Sequence, residues 1–488
     1  MKKIWKYITI SLLLTLGLFC VGILYIFFVP GASLFNITYI NMNSNKKSNE
    51  YLADTVSNIV LNSRAYEIKV YYSEEETIYL KAHANSFGFV HKANNVFDLK
   101  QKLDYSTLTF TITEPHGFAT SNDSYIELFL PETQTYNLTI SNYKAKTTII
   151  SPKVKINNLN YTTTKGEFNF SKGEINGNLN LKLNKGDFKI SKDVITNEND
   201  LTLSITKGSF SARNSTLGDV SITYNERGKI NLGACKDIRS NNKSSGGQIT
   251  ATKAQHVSIT AGDTILSFNE VTHAVSIDLK KSGRVTIKKL SGVSSINTNS
   301  GNINLETTLS PLTAKSDSGN INISDAYSKI SLTSNYGNSN VKFSESAPSY
   351  KDNSSSRVLY ANIKNGTLTA SGVEHVGEVN EATDSATGGI KIRGNGRVSL
   401  RMDAIYGVNS VAGNDGNLRI VFNKSSSYVL NTQSAGGSVR VNLTQISEYN
   451  GYTTKDLRTT YVNCTSSVNS LTATTDDGYL TILDTNFA

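Results

Sequence analysis

Apolar and polar residues alternate one for one along most of this chain, in short runs set off by glycine. The pattern is clearest from Ser300 to Ser324, SGNINLETTLSPLTAKSDSGNINIS. Ser300-Gly301-Asn302-Ile303-Asn304-Leu305 is followed by Ser318-Gly319-Asn320-Ile321-Asn322-Ile323. Period-2 alternation sends Ile303 and Leu305 to one face of a strand and Asn302 and Asn304 to the other. The glycine ahead of each run is expected to supply the φ > 0 geometry of a tight corner. One corner and one strand make a unit.

The unit recurs. Phrases of this kind begin at Gly166 (GEFNF), Gly186, Gly208, Gly228, Gly247, Gly283, Gly301, Gly319, Gly337, Gly366, Gly389, Gly416, Gly437 and Gly478 (GYLTI), most neighbours being about 18–23 residues apart. The gaps from Gly247 to Gly283 and from Gly437 to Gly478 each measure about two periods, and a polar insertion, Ser344 to Ser356, lies between Gly337 and Gly366. Second strands fall between the phrases, among them Leu179–Leu183, Leu201–Ile205, Val257–Ile259, Val275–Leu279 and Ile330–Leu332. A fixed period near 20 residues with two strands per period is the signature of a solenoid. One such coil cannot hide its own apolar side chains. Stacked coils pair in parallel, each backbone bonding the coil above and below. The prediction is therefore an all-β fold, a parallel β-solenoid (β-helix) of about 20 residues per coil over residues 151–488, right-handed by the crossover rule. Asn302 and Asn320 are expected to stack as a ladder at the corners.

Ahead of the repeats, 55–150 reads as an N-terminal β region that caps the solenoid. Its strands are Val56–Leu61, Tyr66–Tyr71, Thr77–Ala82, Leu108–Ile112 and Tyr125–Leu130. The acidic run Ser73-Glu74-Glu75-Glu76 reads as a solvated hairpin tip, and Ser86–Ser106 as loop. Residues 30–54, with the polar run Asn41–Asn49, read as a tether.

The chain opens on Lys2, Lys3, Trp5 and Lys6, and then Tyr7–Val29 carries no charge. That stretch is roughly 34 Å long as a helix, enough to span a bilayer. Residues 1–6 then form a cytoplasmic basic tail and 7–29 a single-pass transmembrane helix in the cell membrane, with the bulk of the chain outside. A cleaved signal peptide is the competing reading, but Pro30-Gly31-Ala32-Ser33 is a poor cleavage site.

Composition agrees with this picture. Hydrophobic residues are 38% of the 488 and charged residues 18%, with 6 Pro and 1 Trp, which suits short half-buried strands and polar corners rather than helices. The formal charge of +9 is spread along the chain. Scattered lysines keep strand edges from pairing and mildly favour anionic surfaces. They do not cluster with aromatics as nucleic-acid binding requires. Cys20 lies in the apolar segment. Cys235 and Cys464 are about eleven repeats apart, on the order of 50 Å at roughly 4.8 Å per coil, too far for a disulfide.

A resemblance accompanies the pattern. The string VSNIVLNSRAYEIKVYYSEEETIYLKA, then SYIELFLPETQTYNLTISNYKAKTTI, then the repeated glycine phrases are similar to a bacterial adhesin family with β-strand repeats, surface proteins of largely unknown function. The step Ile126-Glu127-Leu128-Phe129-Leu130-Pro131 is the most telling. The resemblance covers roughly 55–485. It implies a membrane-tethered extracytoplasmic β-solenoid linked to adhesion or envelope stress, and it offers no catalytic residues. This chain has more coils than the family leads one to expect.

Candidate chemistry is sparse. Polysaccharide-cleaving β-helices need clustered carboxylates, and here they are scattered. Asp476-Asp477 occupy a corner where Asp is at home. The histidines, His83, His91, His116, His256, His273 and His375, show no zincin spacing. His256 and His273 are about one period apart and could stack on neighbouring coils as a metal pair; surface or rim positions are the preferred reading. Arg393-Gly394-Asn395-Gly396 lacks the Asp of a calcium-binding nonapeptide, and Ser354-Ser355-Ser356 is loop, not a nucleophile elbow. No catalytic, cofactor-binding or metal residue is assigned. The preferred reading is a non-catalytic, adhesin-like or structural protein whose partners are the membrane and cell-wall polymers, glycans or surface proteins. An envelope-stress or regulatory membrane partner and a carbohydrate-active β-helix enzyme stand as alternatives.

Overall fold

Ile303 and Leu305 are buried while Asn302 and Asn304 stand half exposed, as the alternation requires. The computed structural model describes residues 2–29, 32–34, 37–64, 66–91, 98–113, 118–120, 124–242, 246–379, 386–423, 425–444, 446–452, 458–464 and 467–486. The chain divides into two compact units, Met1–Ser215 and Thr216–Ala488.

In the second unit the strands Arg284–Leu290, Asn302–Thr308 and Ile321–Ala326 lie parallel and in register, so Val285, Ile303 and Ile321 form one buried column. A second column joins Val275–Leu279, Ser294–Thr298, Leu312–Ser316 and Ile330–Ser334. This is the parallel β-solenoid the period predicts. The longer gap after Gly247 hides a full coil: Ile265–Val271 pairs on both sides, and Thr264 sits at its corner in place of glycine.

Gly247 and Gly389 have the expected positive φ, at 127° and 67°, but the stacked corner glycines of the regular coils serve a different purpose. Gly301 and Gly319 do not have positive φ. A Cβ on Gly319 would lie 2.0 Å from the Gly301 carbonyl oxygen, and one on Gly301 would lie 2.4 Å from that of Gly283. Glycine is required because successive corners stack backbone on backbone. Beside them the Asn ladder forms: Asn320 N–H donates to Asn302 Oδ1 and Asn338 N–H to Asn320 Oδ1, both at 2.9 Å.

In the first unit two parallel columns run through Asn58–Ser63, Tyr136–Asn142, Lys155–Thr163, Leu179–Leu183 and Asn199–Ile205, and through Glu67–Ser73, Thr147–Ile149, Glu167–Phe170 and Asp187–Ile190. The stacking order departs from chain order here. Thr107–Thr113 and Tyr125–Pro131 pair parallel on the other side of 58–63 and 67–73, so the first coil lies between two later ones. Antiparallel strands finish both edges: Asp98–Asp104 along 107–113, Thr77–His91 along 125–131, and Ile37–Lys47 along 77–91.

Three expectations are corrected here. The Asn41–Asn49 tether is mostly strand, because a backbone ladder does not require apolar side chains and its partner, 77–91, is remote in sequence. The Ser86–Ser106 loop is largely the rest of Thr77–His91 and Asp98–Asp104. Its hairpin turn, Tyr105-Ser106, lacks the usual Asn-Gly signal and places Tyr105 at φ 52°. Of the run Ser73–Glu76, Ser73 ends a strand and is buried, and Glu74–Glu76 form an exposed turn that is not a hairpin tip, since 125–131 lies between the strands it joins.

The helix Lys2–Phe28 begins earlier than the apolar run, and Trp5–Phe28 is long and apolar enough to cross a membrane. Phe27 packs on Tyr39 and Phe89, ring centroids 4.2 and 5.2 Å away. Cys235 is buried, Cys464 half-buried and Cys20 exposed on the helix; none is in a disulfide.

Candidate functional site

The antiparallel edge of the first unit carries a set of side chains that the repeats do not. In the strands 67–73, 77–91 and 125–131, Ile68, Val70, Leu80, Ala82, Ile126 and Leu128 point into the core. The alternate residues therefore share the outer face. Register sets them in three rows. The first is Asn45, His83, Tyr125, Glu67; the second Lys47, Lys81, Glu127, Lys69; the third Tyr79, Phe129, Tyr71.

The third row is a stack of rings. Tyr79 and Phe129 lie 4.6 Å apart at 13°, and Phe129 and Tyr71 5.5 Å apart at 21°. His83 and Tyr125 stack at 5.2 Å. Ammonium groups sit over the rings: Lys47 4.7 Å from the Tyr79 centroid, Lys81 5.0 Å from that of Phe129 and Lys69 5.3 Å from that of Tyr125. Cross-strand and cation–π contacts of this kind each stabilise the sheet by about 0.2–1 kcal/mol.

A depression of about 320 Å³ opens over the first two rows, lined by Asn45, Lys47, Lys81, His83, Tyr125 and Glu127. Burial raises the Tyr79 phenol above its ordinary value, and the hydrogen-bonded Glu50 carboxylate raises the Lys47 ammonium. Both groups therefore stay protonated, and so donors, at neutral pH. His83 Nδ1 lies 2.6 Å from Asn45 Oδ1, which holds the ring against Tyr125. Ammonium donors, a carboxylate acceptor and ring surface thus line one shallow space.

The residues singled out from sequence fall elsewhere. His256 and His273 do stack on neighbouring coils, centroids 4.8 Å apart. His256 Nδ1 is bonded to Asp237 Oδ1 at 2.9 Å, and His273 Nδ1 to Thr272 Oγ1 at 3.0 Å. Burial alone would raise the Asp237 carboxyl, but hydrogen bonds from His256 and Arg239 outweigh it and hold it below the usual range. Among the described residues no three His, Cys, Asp or Glu side chains are grouped to hold a metal.

Asp476 and Asp477 form a corner, where both backbone N–H groups donate to Asn414 O. Asn395 N–H donates to Asn365 Oδ1 in a turn. Ser356 is buried, its hydroxyl on Tyr327 O at 2.9 Å. His375 is packed on Tyr350. His116 lies outside the described residues. Sequence reading missed the platform because its strands pair out of chain order. The available signal was the outward alternation of Tyr71, Tyr79, Lys81 and Phe129.

The sequence profile of the Toastrack DUF4097 family matches residues 56–233 and 215–371, more than half of the chain. The chain belongs to the Toastrack family. Among curated proteins, none matches this sequence. A solved structure described as a "putative cell adhesion protein" from Clostridium sporogenes is similar at 8% identity and a TM-score of 0.19, covering 91% of this chain and 100% of its own. A likeness that low carries no argument about the Toastrack chain. The platform lies inside the first family match except for its outermost strand, Ile37–Lys47.

Proposed function

We propose that this Toastrack protein is a membrane-anchored β-solenoid, exposed at the cell surface, which binds saccharide chains of wall polymers or surface glycans without catalysis. The observation that carries the reading is the depression in which Lys81 and Glu127 face each other beside the rings of Tyr125 and His83. Neighbouring hydroxyl groups accept from an ammonium and donate to a carboxylate, and the apolar face of a sugar lies on a ring. Charge helps to choose the ligand class. Lys47, Lys69 and Lys81 stand against Glu50, Glu67 and Glu127, three cations to three anions. That balance leaves no excess to hold a polyanion by charge alone. A hydroxyl-rich chain, neutral or carrying few charges, fits better.

The anchor is supported by the exposed apolar helix, by Lys2, Lys3 and Lys6 ahead of it, and by the Phe27, Tyr39 and Phe89 cluster where it meets the sheet, an interfacial arrangement. Positive residues ahead of the span give a cytoplasmic N-terminus and an extracellular bulk.

The test uses the full chain in lipid nanodiscs against wall polymers and a glycan array, at low and physiological salt. Saturable binding that survives physiological salt and falls at least tenfold in Tyr125→Ala and Lys81→Ala supports the reading. Binding that disappears with salt reduces it to diffuse attraction by the +9 charge. No binding, with a membrane protein co-purifying, would turn the function toward a regulatory membrane partner. Shortening of the glycan during incubation would make the protein an enzyme. A mature protein beginning after residue 29 in cells would replace the anchor with a signal sequence.

A further inference from the structure

Among the described residues, the second unit breaks chain order once, near residue 470. Val408–Gly413 and Asn417–Phe422 make one coil, and Tyr428–Ser434 and Ser438–Leu443 the next in sequence. They do not pair with each other in the structure. Ser470–Thr475 lies between 408–413 and 428–434, parallel to both. Tyr479–Asp484 likewise lies between 417–422 and 438–443. The corners stack as Gly416, Gly478, Gly437: a Cβ on Gly478 would lie 1.8 Å from Gly416 O, and one on Gly437 would lie 1.9 Å from Gly478 O. The expected two-period gap before Gly478 therefore holds no extra coil. It holds the strands Ile446–Tyr452 and Arg458–Val462, antiparallel to 438–443 and 428–434.

The 470–484 coil is thus the last made of three stacked layers and the middle one in space. The two walls of its slot carry phrases about one period apart, Gly416 and Gly437, the spacing that elsewhere gives direct stacking. Direct stacking would set Arg419 beside Arg440, an unfavourable like-charge pair. In the structure Thr481 lies in register between them. The slot also binds this coil specifically. Buried Asn409 Nδ2 donates to Ser470 O at 3.1 Å, Gly407 N–H donates to Asn469 Oδ1 at 2.9 Å, and the Asp484 carboxylate accepts the Thr444 N–H at 2.5 Å.

We propose that the 470–484 coil is an exchangeable insert, and that the slot between the Gly416 and Gly437 coils takes the same coil from a second copy of this chain. A slot that matches one sequence on both walls, and that the chain fills only after passing it by, is open to that sequence from either molecule. Exchange joins two copies without any new surface, because the contacts within and between chains are the same.

Register-paired cysteines test this in the full chain, with Cys20 and Cys464 changed to Ser. Arg419→Cys and Thr481→Cys face outward, so melting temperatures should stay near that of the parent. Together in one molecule they should form a reducible intrachain disulfide, which fixes the layer order. The two single variants, mixed, warmed to the foot of the melting transition and cooled, should yield an interchain disulfide dimer whose share rises with concentration. Absence of that dimer at every concentration, while the double variant still cross-links within itself, overturns the exchange. Efficient cross-linking of Arg419→Cys with Arg440→Cys in one chain overturns the slot itself, since it requires the walls to touch.

Discussion

Phe168 and Phe188 stack face to face on neighbouring coils, centroids 4.5 Å apart and 6° from parallel. Phe210 continues the column 5.8 Å from Phe188, and Tyr161 closes on Phe168 from the side at 4.8 Å. All four rings are almost wholly buried. Phe188→Ala should cost about 3–5 kcal/mol, the usual loss for an aromatic deleted from a packed core. Lys189→Ala, one residue on and pointing out, should change stability by less than about 0.5 kcal/mol. Equal losses in urea melts of the two variants would contradict the assignment of faces.

At the corners, Gly319→Ala should destabilise by about 1–3 kcal/mol or more, because the new methyl group meets Gly301 backbone atoms that the neighbouring coils hold in place. Asn320→Ala removes only the acceptor for Asn338 N–H and should cost about 1 kcal/mol. If Gly319→Ala melted with the parent, close stacking of the corners would not be the reason for glycine there.

The polar insertion between Gly337 and Gly366 is pinned by a buried ion pair. Arg357 Nη1 lies 3.3 Å from Glu374 Oε1 and 3.3 Å from Asp403 Oδ2, and Arg357 Nε and Nη2 donate to Ala347 O and Glu345 O. Glu374 Oε2 also accepts from Ser349 Oγ and Tyr350 N–H. Arg357→Met strands the carboxylate in the interior and should cost about 3–5 kcal/mol. Arg357→Met with Glu374→Met should cost less than the sum of the two single changes, measured by a double-mutant cycle.

His375 makes one region of the fold sensitive to acid. Burial holds its imidazole below the ordinary 6.5, against a weaker upward pull from its 2.7 Å hydrogen bond to Tyr406 O. The unfolded chain takes up a proton near pH 6.5 that the folded chain refuses until lower pH. Stability from this group is therefore complete above about pH 6.5 and declines as pH falls through that value toward the folded one. His375→Phe, which keeps a ring against Tyr350 at 4.3 Å, should flatten the melting temperature between pH 7.5 and 5.5 relative to the parent. Parallel pH profiles would show that other groups carry the effect.

Repeat, period and core were legible along the chain because they are local. Side chains alternate with period two in any strand, and a coil of fixed length returns its apolar residues to the same side. Ile303 and Ile321 could thus be placed inside from the phrase alone, and Asn302 and Asn320 in a ladder. Gly301 and Gly319 were found for the wrong reason, while Gly247 and Gly389 do have positive φ: a corner that must pass another corner leaves the same mark in sequence as one that must turn left-handed.

What only the tertiary structure decided is the order in which coils lie together. Backbone ladders are nearly indifferent to side chains, so a polar run such as Asn41–Lys47 can serve as an edge strand, and a late coil can enter between two earlier ones. Nothing within a single strand records its neighbour. The Lys81 and Glu127 pair, the stack of Tyr79, Phe129 and Tyr71, and the place of Thr481 between Arg419 and Arg440 all arise from pairings remote in sequence. The residues of the candidate site were visible in the chain, but their convergence required the fold.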